Sequence, residues 1–144
     1  MKHAIRHIHF IGVGGAGVNA VNRMVEAQIA GVEFIAINTD LQSLQQSAAH
    51  ATLHIGDGIT RGLGSGSDPE LGRRAAHEQH DHIKAMLRGS DMVFVTAGEG
   101  GAILTNDDAF ADLCYNYHTP GGGRPGPSSG RGANYRLTEF QAAL

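Results

Sequence analysis

The chain has no tryptophan, a single cysteine (Cys114) and only 4 prolines in 144 residues. One cysteine rules out an internal disulfide framework and fits a reducing compartment. No apolar run approaches the length of a membrane-spanning helix, and Met1-Lys2-His3-Ala4-Ile5-Arg6-His7 carries no signal-peptide apolar region. Positive charge is not in excess either. A formal charge of −3 gives no electrostatic reason to expect nucleic acid or direct membrane insertion. The expectation is a soluble cytoplasmic protein with one domain-sized core.

Glycine, by contrast, is abundant at 21 residues, and it clusters. The apolar run Ile8 to Ile11 ends in Gly12-Val13-Gly14-Gly15-Ala16-Gly17. A helical pattern follows at once, with Val18, Val21, Met24, Val25 and Ile29 at spacings of three and four. Residues 5–11 read as a first strand and 17–29 as a first helix, with Gly31 as the residue that ends it. A strand, a glycine turn and a helix start together form a cradle for an anion: glycine lets backbone come close, and the first-turn N–H groups and helix dipole point at the ligand. Gly12, Gly14 and Gly17 satisfy G-x-G-x-x-G, whose bland alternative is a tight turn with no ligand.

The pattern then repeats. Val32 to Asn38 reads as a buried parallel strand ending in Asn38-Thr39-Asp40, where Asp40 can cap a short helix over 41–46. Ala51 to Ile55 reads as a third strand. It opens into a second glycine-rich loop, residues 56–67, long enough to be a functional candidate. Asp68-Pro69-Glu70 carries helix-start signals, and the helix is expected to run to Arg88, with Gly72, Ala76, Ile83 and Leu87 facing inward and Gly89 ending it. Asp91 to Thr96 is a further strand, emptying into a third glycine turn, Ala97-Gly98-Glu99-Gly100-Gly101. The fold class is α/β, a parallel doubly wound, Rossmann-like nucleotide-binding domain, with ligands expected outside the carboxyl ends of the strands. Residues 1–101 form that domain. Residues 102–144 are a divergent, irregular tail, with a candidate short helix over 107–117 and a linker over 119–132 that holds 6 glycines and 3 of the prolines.

Four segments point to a family. Gly12-Val13-Gly14-Gly15-Ala16-Gly17-Val18-Asn19-Ala20-Val21 resembles the first nucleotide loop of FtsZ, the bacterial tubulin-like cell-division GTPase family. Gly31 to Asp40 resembles that family's second strand and loop, Thr60 to Glu70 its third loop, and Asp91 to Gly101 the strand leading to its fourth. The resemblance covers about residues 6–101 and implies roles. Gly14, Gly15, Ala16, Gly17 and Asn19 would hold the diphosphate of GTP or GDP. Asn38, Thr39 and Asp40 would lie near the phosphates and the Mg2+ bound with them. Gly64, Ser65, Gly66 and Ser67 would close over the terminal phosphate, and Gly98, Gly100 and Gly101 would begin the main phosphate loop. No metal-ligating side chain is assigned. The resemblance also implies self-association, or association with complete subunits of the family.

The departures begin at Ala102-Ile103-Leu104-Thr105-Asn106, where the family continues Gly-Gly-Gly-Thr-Gly-Thr-Gly into a long helix. GTP hydrolysis by this chain alone is therefore expected to be weak or lost. Asn106 to Leu113 resembles the family's Asn-x-Asp-Phe-Ala-Asp loop with one extra residue. On that reading Asp108 and Asp112 are the candidate catalytic acids. Alternatively, Asp108-Ala109-Phe110 resembles a segment near the base, or the acids simply cap a helix.

Two rival functions remain open. Gly12, Gly14 and Gly17, with Asp40 as the ribose-binding acid, also fit an NAD-binding Rossmann domain of an oxidoreductase. The switch in composition after Gly101 fits a non-enzymatic fragment that caps filaments. The remaining conspicuous residues have plain readings. His77, His80 and His82 lie on a solvated helix face, His7 and His9 are an edge or sheet-face feature, Arg73-Arg74 is a surface pair, and Cys114 is a small apolar residue.

Overall fold

The computed structural model describes residues 5–66, 68–98 and 100–105. The elements run β1 (Ile8–Val13), α1 (Gly14–Glu26), β2 (Val32–Asn38), α2 (Leu41–Gln45), β3 (Ala51–His54), α3 (Asp57–Thr60), α4 (Pro69–Glu78), α5 (His80–Met86), β4 (Met92–Ala97) and β5 (Gly100–Thr105). They build a 5-stranded sheet in the order β3-β2-β1-β4-β5. β1 through β4 are parallel, and β5 returns antiparallel to β4.

Central strands of a parallel sheet are covered on both faces and read as continuous apolar runs. β2 follows this rule: Phe34, Ile35, Ala36, Ile37 and Asn38 are all buried. Alternation sends these residues to opposite layers. Ile35 and Ile37 join Ile11, Leu53, Ile55, Val93 and Ala75 of α4, with Ile83, Met86 and Leu87 packed against them. Ala36 meets Val18 of α1 and Leu44 of α2 on the other face. Phe10, Phe34 and Phe94 are register partners across the three middle strands, and the ring of Phe10 lies 5.9 Å from each of the other two. Burying Phe34 contributes about 2–3 kcal/mol.

Local structure departs from the sequence pattern in four places. α1 runs from Gly14 to Glu26 rather than over the expected 17–29, and its left-handed closing residue is Gln28 (φ 56°), while Gly31 (φ 78°) precedes β2. A short helix, α3, forms inside the 56–67 loop between the left-handed Gly56 and Arg61. The expected helix to Arg88 breaks at Gln79 (φ −102°, ψ 13°). His77 to His82 has no apolar residue to seat on the sheet, and its His and Asp residues are poor helix formers. Finally, the glycine turn over 97–101 is a hairpin: Ala97 pairs with Gly100 and Thr96 with Gly101.

The capping expectations hold. The Asp40 carboxylate accepts from the Gln42 and Ser43 amides at 2.9 and 3.3 Å, and Asp68 accepts from Glu70 and Leu71 at 2.9 and 3.3 Å, with Pro69 opening α4. Arg73 grips Glu70 at 2.9 and 2.6 Å, and that hydrogen bonding holds the exposed Glu70 carboxyl below its usual range. Among the described residues, no helix is long and apolar enough to cross a membrane. The tail beyond Thr105, with its expected helix over 107–117 and linker over 119–132, lies outside the described residues.

Candidate functional site

The carboxyl ends of β1, β2 and β4 lie side by side. Val13 pairs with Ile37 and Gly12 with Thr96. From β1 the chain enters α1 without a loop, a junction that two close approaches make possible. A Cβ on Gly12 would fall 2.2 Å from the Gly17 carbonyl oxygen, and a Cβ on Gly17 would fall 2.7 Å from the Thr96 carbonyl oxygen. Any side chain at either position would lift α1 off the sheet.

The first turn of α1 carries the features of an anion site. Val13 is its N-cap and supplies no side-chain hydrogen bond. The leading N–H groups are thus left to water or to a ligand. Gly14 and Gly15 have nothing within 4 Å of where a Cβ would stand, so the ground above the turn is open. Ala16 and Asn19 are exposed, while Gly17 and Val18 are buried. Gly98, at the tip of β4, approaches the same turn: its Cβ position lies 3.7 Å from Ala16 Cβ.

The end of β2 is built differently. The buried Asn38 folds its side-chain oxygen over its own loop, accepting from the Thr39 amide at 2.8 Å and the Asp40 amide at 3.2 Å. Thr39 is buried too, and its carbonyl oxygen is a junction. It accepts from the Gly64 amide at 3.2 Å, the Thr60 hydroxyl at 3.3 Å and His54 Nε2 at 3.1 Å. Leu41 N–H donates to the Gly62 carbonyl at 3.2 Å, and Asp40 bridges Leu63. Residues 62–64 are therefore strapped along the Asn38–Asp40 loop. Gly62, Gly64 and Gly66 all adopt positive φ, a region that favours glycine.

The sequence-selected residues thus fall in two adjoining groups. Gly14, Gly15, Ala16, Gly17, Asn19 and Gly98 surround the start of α1. Asn38, Thr39, Asp40, Gly64, Ser65 and Gly66 surround the end of β2. Gly100 and Gly101 do not join a loop; they lie in β5, paired with β4. Ser67, Asp108 and Asp112 lie outside the described residues. Sequence reasoning passed over His54, Asp57 and Thr60, although the signal was present: a histidine closing β3 with an acid three positions on.

At the opposite end of the sheet, a cleft of about 330 Å³ is lined by His7, His9, Glu33, Met86, Arg88 and Gly89. His9 is buried in the central strand, with Nε2 3.2 Å from the Glu33 carboxylate and Nδ1 2.8 Å from the Ser90 hydroxyl. Ligands of parallel sheets sit at the other end, the carboxyl ends of the strands. His77, His80 and His82 are exposed on α4 and α5. Among the described residues, no group of 3 His, Cys, Asp or Glu side chains is placed to hold a metal ion.

Fold and strand ends together define a doubly wound α/β domain, the class of sheet whose ligands sit outside the carboxyl ends of the strands. The GTPase-domain profile of the Tubulin/FtsZ family matches residues 7–103, and the chain belongs to that family. A point mutant of FtsZ from M. jannaschii superposes with a TM-score of 0.63 at 45% identity, covering 67% of this chain and 29% of that one. An empty FtsZ dimer from M. jannaschii gives 0.64 at 43% identity, covering 69% and 29%. CetZ2 from Haloferax volcanii, in a GTPγS-bound protofilament, gives 0.55 at 30% identity, covering 65% and 31%. The chain spans less than a third of each of these structures. A second profile, that of the DegT/DnrJ/EryC1/StrS aminotransferase family, matches residues 92–144 and overlaps the first over 92–103. Asp108 and Asp112, read above from a resemblance to FtsZ, fall within that second match.

Proposed function

We propose that this chain binds a guanine nucleotide by its phosphates at the carboxyl ends of β1, β2 and β4. The observation that carries the reading is the start of α1: an uncapped first turn, with open space above Gly14 and Gly15. The amides of Gly14 to Gly17 and the side chain of Asn19 take the diphosphate. Asn38, Thr39 and Asp40 stand beside it. Gly64, Ser65, Gly66 and Ser67 close over the terminal phosphate, and the turn at Gly98 lies against Ala16. Gly100 and Gly101 contribute through the hairpin that sets this turn.

The residues fit a divalent cation that arrives with the nucleotide rather than one held by the protein alone. Asp40 caps α2 through Oδ1 alone, so phosphate oxygens, with Asp40 Oδ2 beside them, would supply the charged ligands for Mg2+. Bound there, the cation would neutralise phosphate charge. The chain's own groups orient the phosphates and donate hydrogen bonds to them. Turnover by the isolated chain is weak, and self-association or association with complete subunits places it with filament-forming cell-division proteins.

Calorimetric titration tests the reading. GDP and GTP bind, and NAD does not. Binding of NAD in place of GDP would favour the oxidoreductase alternative. Rapid phosphate release from GTP by the purified chain would overturn the claim of weak turnover.

A further inference from the structure

His54 closes β3 as the register partner of Asn38, and its side chain is only 15% exposed. Its two ring nitrogens face two different groups. Nε2 lies 3.1 Å from the Thr39 carbonyl oxygen, and Nδ1 lies 2.5 Å from Asp57 Oδ1. A carbonyl oxygen and a carboxylate can only accept, so both ring nitrogens must donate. A neutral imidazole carries one N–H. The ring that satisfies both contacts is the imidazolium, with the Asp57 carboxylate as its counter-ion.

We propose that His54 is a positioning residue for the candidate nucleotide site: as an imidazolium it clamps the Thr39 carbonyl to the start of α3 and so sets the stance of residues 60–66. The inference rests on the function proposed above. His54 touches no ligand. It acts through Thr39, whose carbonyl oxygen also receives the Gly64 amide and the Thr60 hydroxyl. The Gly56 carbonyl lies 3.2 Å from the same hydroxyl, whose single proton is shared between the Thr39 and Gly56 carbonyls and ties α3 to the loop after β2. Gly56 lets this knot close, because a Cβ there would fall 2.8 Å from Ala75 Cβ and 3.5 Å from Thr39 Cγ2. His54 is the titratable member of the knot.

The charged groups around it define the direction of the effect. On α3, Asp57 is in contact with the ring. On the β2–α2 loop, Asp40 Oδ1 accepts from the Gln42 and Ser43 amides, and the carboxylate keeps its negative charge. Arg61 follows α3 and is exposed. On α4, which packs beside α3, Glu70 and Arg73 pair with each other. Only the doubly protonated ring can donate to both the Thr39 carbonyl and the Asp57 carboxylate, so loss of a ring proton opens the clamp.

The test uses the full chain. Nitrogen-detected NMR of the His54 ring without nucleotide should show both nitrogens protonated at the acid end of a series from about pH 5.5 to about 8.5. Over the same series Gly64 amide exchange should accelerate beyond the intrinsic rate by about tenfold, the worth of one charge-assisted hydrogen bond. GDP affinity should fall in step. His54→Leu should show the high-pH behaviour throughout. Asp57→Asn supplies a second variant on an exposed side chain: the new amide can donate to Nδ1, so a neutral ring then suffices. That variant should keep Gly64 protected and remove the pH dependence. A His54 ring with one proton while Gly64 stays protected would overturn the proposal, as would an unchanged pH profile in Asp57→Asn. A chain that binds no GDP at any pH would sink the proposed function, and the ring and exchange measurements would still decide the clamp.

Discussion

Gly12 and Gly17 are in contact across the β1–α1 junction, so close that a methyl group on Gly12 would sit 2.2 Å from the Gly17 carbonyl oxygen. This contact fixes where α1 starts relative to the sheet, and with it where the first-turn amides point. Gly12→Ala should cost about 1–3 kcal/mol of stability through overpacking and weaken GDP binding together with it. Urea denaturation monitored by circular dichroism, with and without GDP, reads both effects.

Gly15 gives the opposite combination. It is exposed in the first turn of α1, with open space at its Cβ position and no positive φ. Gly15→Ala should leave the fold unchanged or stabilise it by about 0.5–1 kcal/mol. The added methyl stands where the phosphates would approach, so GDP affinity should drop although the melting temperature does not. A Gly15→Ala variant that binds GDP as well as the parent does would remove Gly15 from the site.

Asp40 caps α2 through two backbone amides. Asp40→Ala should cost about 1 kcal/mol, measured by thermal unfolding. Asp40→Asn should recover most of it, since an amide oxygen also accepts.

Phe34 packs against Phe10 on one side of the aromatic row, with a relative exposure of 1%. Phe34→Ala should cost about 3–5 kcal/mol. For a domain of this size, that loss should lower the urea midpoint sharply.

The exposed Glu70–Arg73 pair provides a control. Its hydrogen bonds lower the Glu70 carboxyl from its ordinary range. The pair's contribution is present above the unfolded-state titration of Glu70 and is lost as pH falls through the folded one. Exposed pairs contribute little. Arg73→Ala should leave the melting temperature at neutral pH nearly unchanged, and any difference from the parent should vanish in acid and in high salt.

The glycine spacing around Gly12 to Gly17 made the first cradle legible in the sequence, as Asp40 and Asp68 did for two helix starts. These are local signals: a cap or a tight turn needs only its own few residues. The parallel sheet followed from apolar runs separated by helical ones. β5 could not be read in the same way. Ala97-Gly98-Glu99-Gly100-Gly101 suits a loop and a two-residue hairpin turn equally well, and pairing with β4 depends on the residues that follow. The change of composition after Gly101 was visible; the second family model matches residues 92–144 and begins before that change. The break at Gln79 depends on the absence of an apolar anchor between Ala76 and Ile83, which helical periodicity alone conceals. His54 was missed because the Thr39 carbonyl reaches its ring only once β2 and β3 have paired, while the local signal, Asp57 three residues on, says little by itself.

The central claim is that the strand tips around α1 and β2 grip the phosphates of a nucleotide. Backbone amide NMR of the labelled chain during GDP titration tests it most directly. The expected result is that the largest shifts fall at Gly14 to Gly17, Thr39, Asp40 and Gly64 to Gly66. No shift up to about 1 mM GDP, or shifts confined to the His7, Glu33 and Arg88 cleft at the far end of the sheet, would contradict it.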